Sequence, residues 1–237
     1  MNNKEEKLNI NELIQNKLVS EFSNKDSSYW EREDKTYHCS DWGKCPLKTY
    51  FEFKLGKRED EEAYRVFRQG HDIEAFIQEV MELEFGNRLI KNSYPIKFNI
   101  GDIKIVGETD IVRLSEDGKK IEQMYEIKST KNTHYVQDAP NENHIFQVQP
   151  YMLGLNLDRC KIIYIDKRDL KGIVHTVEYS TEKYKEGFKR VKTIEETLRG
   201  EKEIDALLEI SPFEEWECKY ACQYISKCEE LKSRKEG

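Results

Sequence analysis

No stretch of this sequence is apolar for long enough to cross a bilayer, and the opening MNNKEEKLNI lacks the basic-then-apolar form of a secretory leader. The expectation is a protein that stays in the reducing cytoplasm and has no membrane partner. Positive charge is not in excess either: 39 Lys and Arg stand against 46 Asp and Glu, a net of −7. That balance argues against a general nucleic-acid coat, whose binding rests on neutralising phosphates, but it leaves room for a local basic groove. Lys119 and Lys120, Lys128 and Lys131, Lys167 with Arg168 and Lys171, and Lys183 to Lys192 are the basic stretches, and most read as solvated faces. Internal repeats and long linkers are also missing. What remains is 237 residues, 37% hydrophobic and 36% charged, enough for one large domain with a real core and a very polar surface.

Periodicity gives the order of elements. Leu13, Ile14, Leu18 and Phe22 recur at helical spacing, predicting a helix from about Ile10 to Phe22 behind an Asn9/Glu12 capping pair. The polar stretch SNKDSSYWEREDK reads as a loop. Cys45-Pro46 opens a second helix with Tyr50 and Phe51 facing inward. A long helix from about Asp60 to Phe85 follows, with Val66, Phe67, Ile73, Ile77, Val80 and Met81 as its apolar side. After Gly86 the period changes to alternation. Leu89–Phe98, Ile103–Leu114 and Ile121–Ser129 read as strands, separated by turns at Asn99–Asp102 and Ser115–Gly118. A helix over Glu142–Leu155, strands over Cys160–Ile165 and Gly172–Tyr179, and a helix over Thr181–Arg199 complete the pattern. The expected fold class is α/β: a mixed central sheet flanked by helices. It is expected as a single domain over residues 1–237.

Four of the six cysteines bracket this core. Cys45 stands near the front, and Cys218, Cys222 and Cys228 crowd the tail in WECKYACQYISKC. In a reducing compartment, clustered cysteines are read as metal ligands before disulfides. Cys39 competes with Cys45 for the fourth place, and His38 could join a zinc site. Cys160 begins an apolar strand and reads as a buried small hydrophobe.

Between the cysteines lies a run of chemistry-bearing residues. On a strand, Glu126 and Lys128 point to one side while Tyr125 and Ile127 point to the other. Asp110 sits on the preceding strand of the meander, so the two carboxylates can converge. Two such groups repel unless a cation such as Mg²⁺ or Mn²⁺ lies between them. A lysine beside that cation can offset charge developing on a phosphate. Asp102 competes with Asp110 but follows Gly101 in a turn, where aspartate usually serves the local backbone.

These residues carry a resemblance. His71 in RQGHDIE, Asp110 in GETDIV, Glu126-Ile127-Lys128, and Gln147 and Tyr151 in QVQPY resemble the ordered motifs of RecB-like nucleases of the PD-(D/E)XK superfamily. With the four cysteines, the chain is similar to the CRISPR-associated RecB-like exonucleases and to AddB-type iron–sulfur nuclease domains. The match spans about Cys45 to Cys228. It implies that His71, Asp110, Glu126 and the backbone carbonyl of Ile127 hold Mn²⁺ or Mg²⁺, and that Lys128 is the catalytic lysine. Gln147 and Tyr151, on one helix face, would contact DNA near the scissile phosphate; Gln149 is offset from that spacing. It further implies a [4Fe–4S] cluster on Cys45, Cys218, Cys222 and Cys228, with residues 1–58 supplying the first ligand, 59–200 the nuclease core and 201–237 the cysteine-rich segment.

The implied activity is a 5′-to-3′ DNA exonuclease on single-stranded or frayed ends. Trimming prespacers for a Cas integrase is one role; a viral or mobile-element recombination nuclease is another. Two departures stand out: Thr109 replaces the proline before Asp110, and the tail spacing is C-x3-C-x5-C where the family more commonly has two residues in the first gap. Four thiolates also suit tetrahedral Zn²⁺. A zinc-bound endonuclease and a catalytically idle binding module are the rival readings.

Overall fold

The structure, a computed structural model, describes residues 10–23, 33–56, 61–211, 218–219 and 222–236. Asp60, Trp216, Tyr220, most of the loop after the first helix, and the side chains of Leu13 and Phe22 lie outside the described residues. Helix α1 spans Ile10–Ser23 and buries Leu18, while Ile14 stays 41% exposed. A short strand β1 (Thr36–His38) and a single 3-10 turn (Cys39–Trp42) lead to α2 (Pro46–Leu55), whose N-cap is Cys45. Neither the strand nor the turn was expected, because three residues are too few to carry a period.

Helix α3 (Glu61–Phe85) precedes the strands β2 (Ile90–Ile100), β3 (Ile103–Leu114) and β4 (Ile121–Thr130). Beyond a 3-10 turn at Thr133–Val136 come α4 (Glu142–Leu155), β5 (Arg159–Asp166), β6 (Gly172–Glu178) and α5 (Thr181–Leu198). Two further helices, α6 (Asp205–Ile210) and α7 (Ile225–Glu236), close the described chain.

The described strands form one mixed sheet. β2, β3 and β4 are the expected antiparallel meander, with Gly101 at φ 61° in the two-residue turn between Ile100 and Ile103. β5 runs parallel to β4, reached by a crossover through α4, and β6 is antiparallel to β5. β3 changes partners along one edge: its start pairs with β1 in parallel and its end with β4. β3 and β4 therefore part below Ile111, and Asp110 stands where they part.

Helices cover both faces, so the middle of β4, Met124 to Ile127, is buried throughout. On one face Val112, Met124, Ile162 and Tyr164 pack with Trp42, Phe146 and Val148 under α4 and α5. On the other, Ile111, Tyr125, Ile127, Ile163 and Ile165 pack against Ile73, Ile77, Met81 and Phe85 of α3. That stripe corrects the expected apolar side of α3. Val66, Phe67 and Val80 are 50%, 40% and 42% exposed, since a helix lying on a flat sheet buries only the i, i+4, i+8 row it sets against it.

Gly187 of α5 shows how closely the larger core is packed. A Cβ there would stand 2.0 Å from the indole of Trp42, whose Nε1 donates to the Tyr184 carbonyl. The tail returns to the front of the chain: Tyr224 stacks on Phe51 and donates to the Gly56 carbonyl at 2.6 Å.

Candidate active site

The alternation of β4 aims Glu126 towards α4. Glu126 is 2% exposed, and its Oε1 accepts from Lys128 Nζ and from Gln147 Nε2, each at 2.7 Å. Its Oε2 is buried with no hydrogen-bond partner among the described residues. Asp110 Oδ2 accepts the backbone N–H of Ile127 at 2.6 Å, which ties the parted strands together beside Glu126. Burial, and then the Glu126 charge, push the Asp110 carboxyl well above the usual carboxylate range, only partly opposed by Lys128. Burial works against the Lys128 ammonium, but Glu126 and Asp110 together outweigh it and hold its pKa above the ordinary lysine value. Lys128 is thus a cation here, suited to stabilising negative charge and not to accepting a proton.

Two crowded carboxyls with an orphaned oxygen fit a hard divalent cation, which takes oxygen ligands. An unpaired carboxylate oxygen in a dry pocket is costly, and a metal would relieve it. Asp110, bonded to the Ile127 N–H, and Glu126, with its unpartnered Oε2 among the described residues, are the two carboxylates that could meet such an ion. Among the described residues, no three His, Cys, Asp or Glu side chains are gathered closely enough to hold a metal by themselves.

His71 lies exposed on α3. The α3 carboxylate whose charge reaches Asp110 is Glu74, one turn further along the same helix face. Gly70 brings that helix close to β4, with its Cβ position 3.8 Å from Ser129 Oγ. Gln147 reaches the site directly. Tyr151 is 5% exposed, rests on Gly107 and donates to the Glu108 carbonyl at 2.9 Å, two residues before Asp110. Gln149 has a separate task, donating to the Ile145 carbonyl and accepting from Ser180 at the start of α5. Asp102 is engaged by Lys35 and Arg199 in its turn, which hold its carboxyl down to about 2.

A polar pair beside Lys128 was missed among the sequence motifs. His144, one turn before Gln147, meets the Tyr164 hydroxyl at 2.7 Å, and that hydroxyl accepts the Asn141 N–H at 3.0 Å. Burial and the Lys128 charge bring the His144 pKa down to about 3, so its ring is neutral at physiological pH. The i, i+3 spacing of His144 and Gln147 was the available signal.

All six cysteines are free of disulfides. Burial and the neighbouring Cys45, Cys222 and Cys218 push the Cys228 thiol up to about 12, which puts all four in one neighbourhood between α2 and the tail. Cys39 and Cys160 are fully buried in the core instead, and Cys39 Sγ lies against Gly107.

The family model of the PD-(D/E)XK nuclease superfamily matches residues 29–229. The chain belongs to that superfamily. The solved structure of the protein SSO0001 superposes with a TM-score of 0.63 at 20% identity, covering 92% of this chain and 95% of that one. An alkaline exonuclease from Laribacter hongkongensis gives 0.54 at 15% identity, covering 78% and 97%. A phage-related exonuclease from Haemophilus somnus 129PT gives 0.52 at 13% identity, covering 70% and 96%. At these identities the likeness is one of fold. No curated protein matches the chain. As a PD-(D/E)XK protein it is a nuclease in class, and no helix among the described residues is long and apolar enough to cross a membrane.

Proposed function

We propose that the protein is a divalent-metal-dependent DNA exonuclease working at single-stranded or frayed ends. The observation that carries this is the buried Asp110–Glu126 pair, with one oxygen unpartnered among the described residues and a charged Lys128 alongside. Asp110, Glu126 and the Ile127 carbonyl would hold Mg²⁺ or Mn²⁺, which would supply Lewis-acid polarisation of a phosphoryl oxygen and an activated water. Lys128 meets the charge that grows on the phosphate as the P–O bond breaks. Gln147, fixed by its bond to Glu126, lines the approach to that phosphate. Tyr151 is a positioning residue that holds the β3 segment bearing Asp110. Glu74 of α3 bears on Asp110 through its charge, and His71, one turn before it, is the further metal ligand that the motif resemblance implies.

End dependence, 5′-to-3′ polarity and a role in trimming prespacers for a Cas integrase follow the resemblance of the motifs. The exonuclease names of the two fold relatives accord with the first of these. The motif resemblance implies a [4Fe–4S] cluster on Cys45, Cys218, Cys222 and Cys228, which would clasp α2 to the tail in a structural role. Anaerobically purified protein is expected to be brown; colourless protein with stoichiometric zinc would replace the cluster by Zn²⁺.

Glu126→Gln and Lys128→Ala, in protein that retains its thermal transition, should each lower cleavage of linear DNA by about 10²–10³-fold or more. Undiminished cleavage in both would remove the assigned site. Circular single-stranded DNA should survive; its opening would make the enzyme an endonuclease.

A further inference from the structure

Immediately beyond the catalytic strand lies a surface that the site chemistry does not use. β4 ends at Thr130, whose carbonyl accepts the N–H of Lys167 at 2.8 Å, so Lys131 and Lys167 emerge side by side from the ends of β4 and β5. The two are close enough to interact: burial and the Lys131 charge together lower the Lys167 pKa. Their basic neighbours are paired, Arg168 with Asp166 and Lys171 with Asp169, but Lys131 and Lys167 have no acidic partner among the described residues. Two like charges left adjacent and unneutralised are unfavourable in the free protein and favourable once an anion bridges them.

In the chain between Lys131 and α4 stands Tyr135, 85% exposed on the Thr133–Val136 turn. The turn is firmly held. Asn132 Oδ1 accepts from the His134 N–H at 2.9 Å, Gln137 donates back to the His134 carbonyl at 3.3 Å, and His175 Nε2 meets the Val136 carbonyl at 2.6 Å. Val136 is buried beneath, so the adjacent ring is directed outward by a fixed backbone and has the His134 ring beside it at 6.3 Å. An exposed aromatic side chain on a pinned turn, four residues along the chain from one of two unpaired lysines, offers the pairing that single-stranded nucleic acid uses: phosphates on the lysines, a base on the ring. Lys131 follows Lys128 by three residues, roughly 10 Å along an extended chain.

We propose that Lys131, Lys167 and Tyr135 form a strand-holding subsite, which grips a single-stranded segment of the substrate just outside the reacting phosphate. The inference deepens the nuclease reading and rests on it for the nature of the substrate. Lys131 and Lys167 take adjacent backbone phosphates, and Tyr135 stacks on one base without reading its identity, so the grip is indifferent to sequence.

Fluorescence anisotropy of a labelled single-stranded oligonucleotide, with the full-length protein in chelator so that nothing is cut, tests this. Lys131→Gln with Lys167→Gln should weaken binding and flatten the dependence of log affinity on log salt by about 0.7 for each lysine lost. Tyr135→Ala should weaken binding about tenfold with the salt slope unchanged. Lys119→Gln, on the distant hairpin, should change nothing. Affinity and slope that stay at wild-type values in both variants, or a wild type that does not bind the strand, would overturn the subsite. A protein that binds through these residues but cuts nothing with Mn²⁺ would instead overturn the nuclease reading and leave the subsite standing.

Discussion

The two faces of β4 solve opposite problems with alternate residues of one strand. Towards α3, Tyr125 and Ile127 join Ile111, Ile163 and Ile165 in a dry contact that needs only shape and apolar area. Towards α4, Glu126 is equally buried but brings a charge, a lysine and a glutamine with it, and one carboxylate oxygen lacks a partner among the described residues. The dry face is what allows the other to be held in place. A strand fixed from one side can carry an uncompensated group on its other side without turning over, because a slip by one residue would exchange every side chain.

Substitution can separate the two faces. Ile163→Ala removes packing from the dry face alone and should cost about 2–5 kcal/mol in chemical unfolding, with the cleavage rate per folded molecule unchanged. An equal loss of rate would mean that the faces are not separable.

A smaller effect belongs to the charged face. His144 titrates near 6.5 when unfolded and near 3 when folded. The unfolded chain therefore takes up a proton first, and stability is lost as pH falls from about 6.5 towards 3. Asp110, raised in the fold, acts with the opposite sign, so the difference between wild type and His144→Gln isolates the histidine. The variant should show a shallower acid decline in unfolding midpoint; parallel curves would place His144 in water.

Least affected should be Tyr151→Phe, which loses the bond to the Glu108 carbonyl. It should cost about 1 kcal/mol and lower activity only through the placement of Asp110, which would show as a weaker affinity for Mn²⁺ with strand affinity unchanged.

Much of this architecture is legible in the sequence. Alternation exposes the three-strand meander, and a switch of period marks α4 and α5. The D…E-x-K pattern with Gln147 leads to residues that do lie together. What failed has physical reasons. The apolar side of α3 is drawn too wide because hydrophobicity alone does not say whether a helix is wrapped or laid on a sheet, and Val66, Phe67 and Val80 stay exposed. β1 is three residues long and is defined by its partner β3, not by its own pattern. His144 and Glu74 acquire meaning only from charges on other elements, which no local pattern reports. Tyr135 is an ordinary loop aromatic by sequence; its outward aim comes from the pinned turn beneath it.

If Asp110 and Glu126 share a divalent ion, crystals soaked in Mn²⁺ and measured at the manganese absorption edge will reveal it. One anomalous peak is expected within about 2.0–2.3 Å of a carboxylate oxygen from each residue, with Glu126 Oε2 as one ligand. A peak elsewhere, or none at a concentration that supports cleavage, would contradict the shared ion.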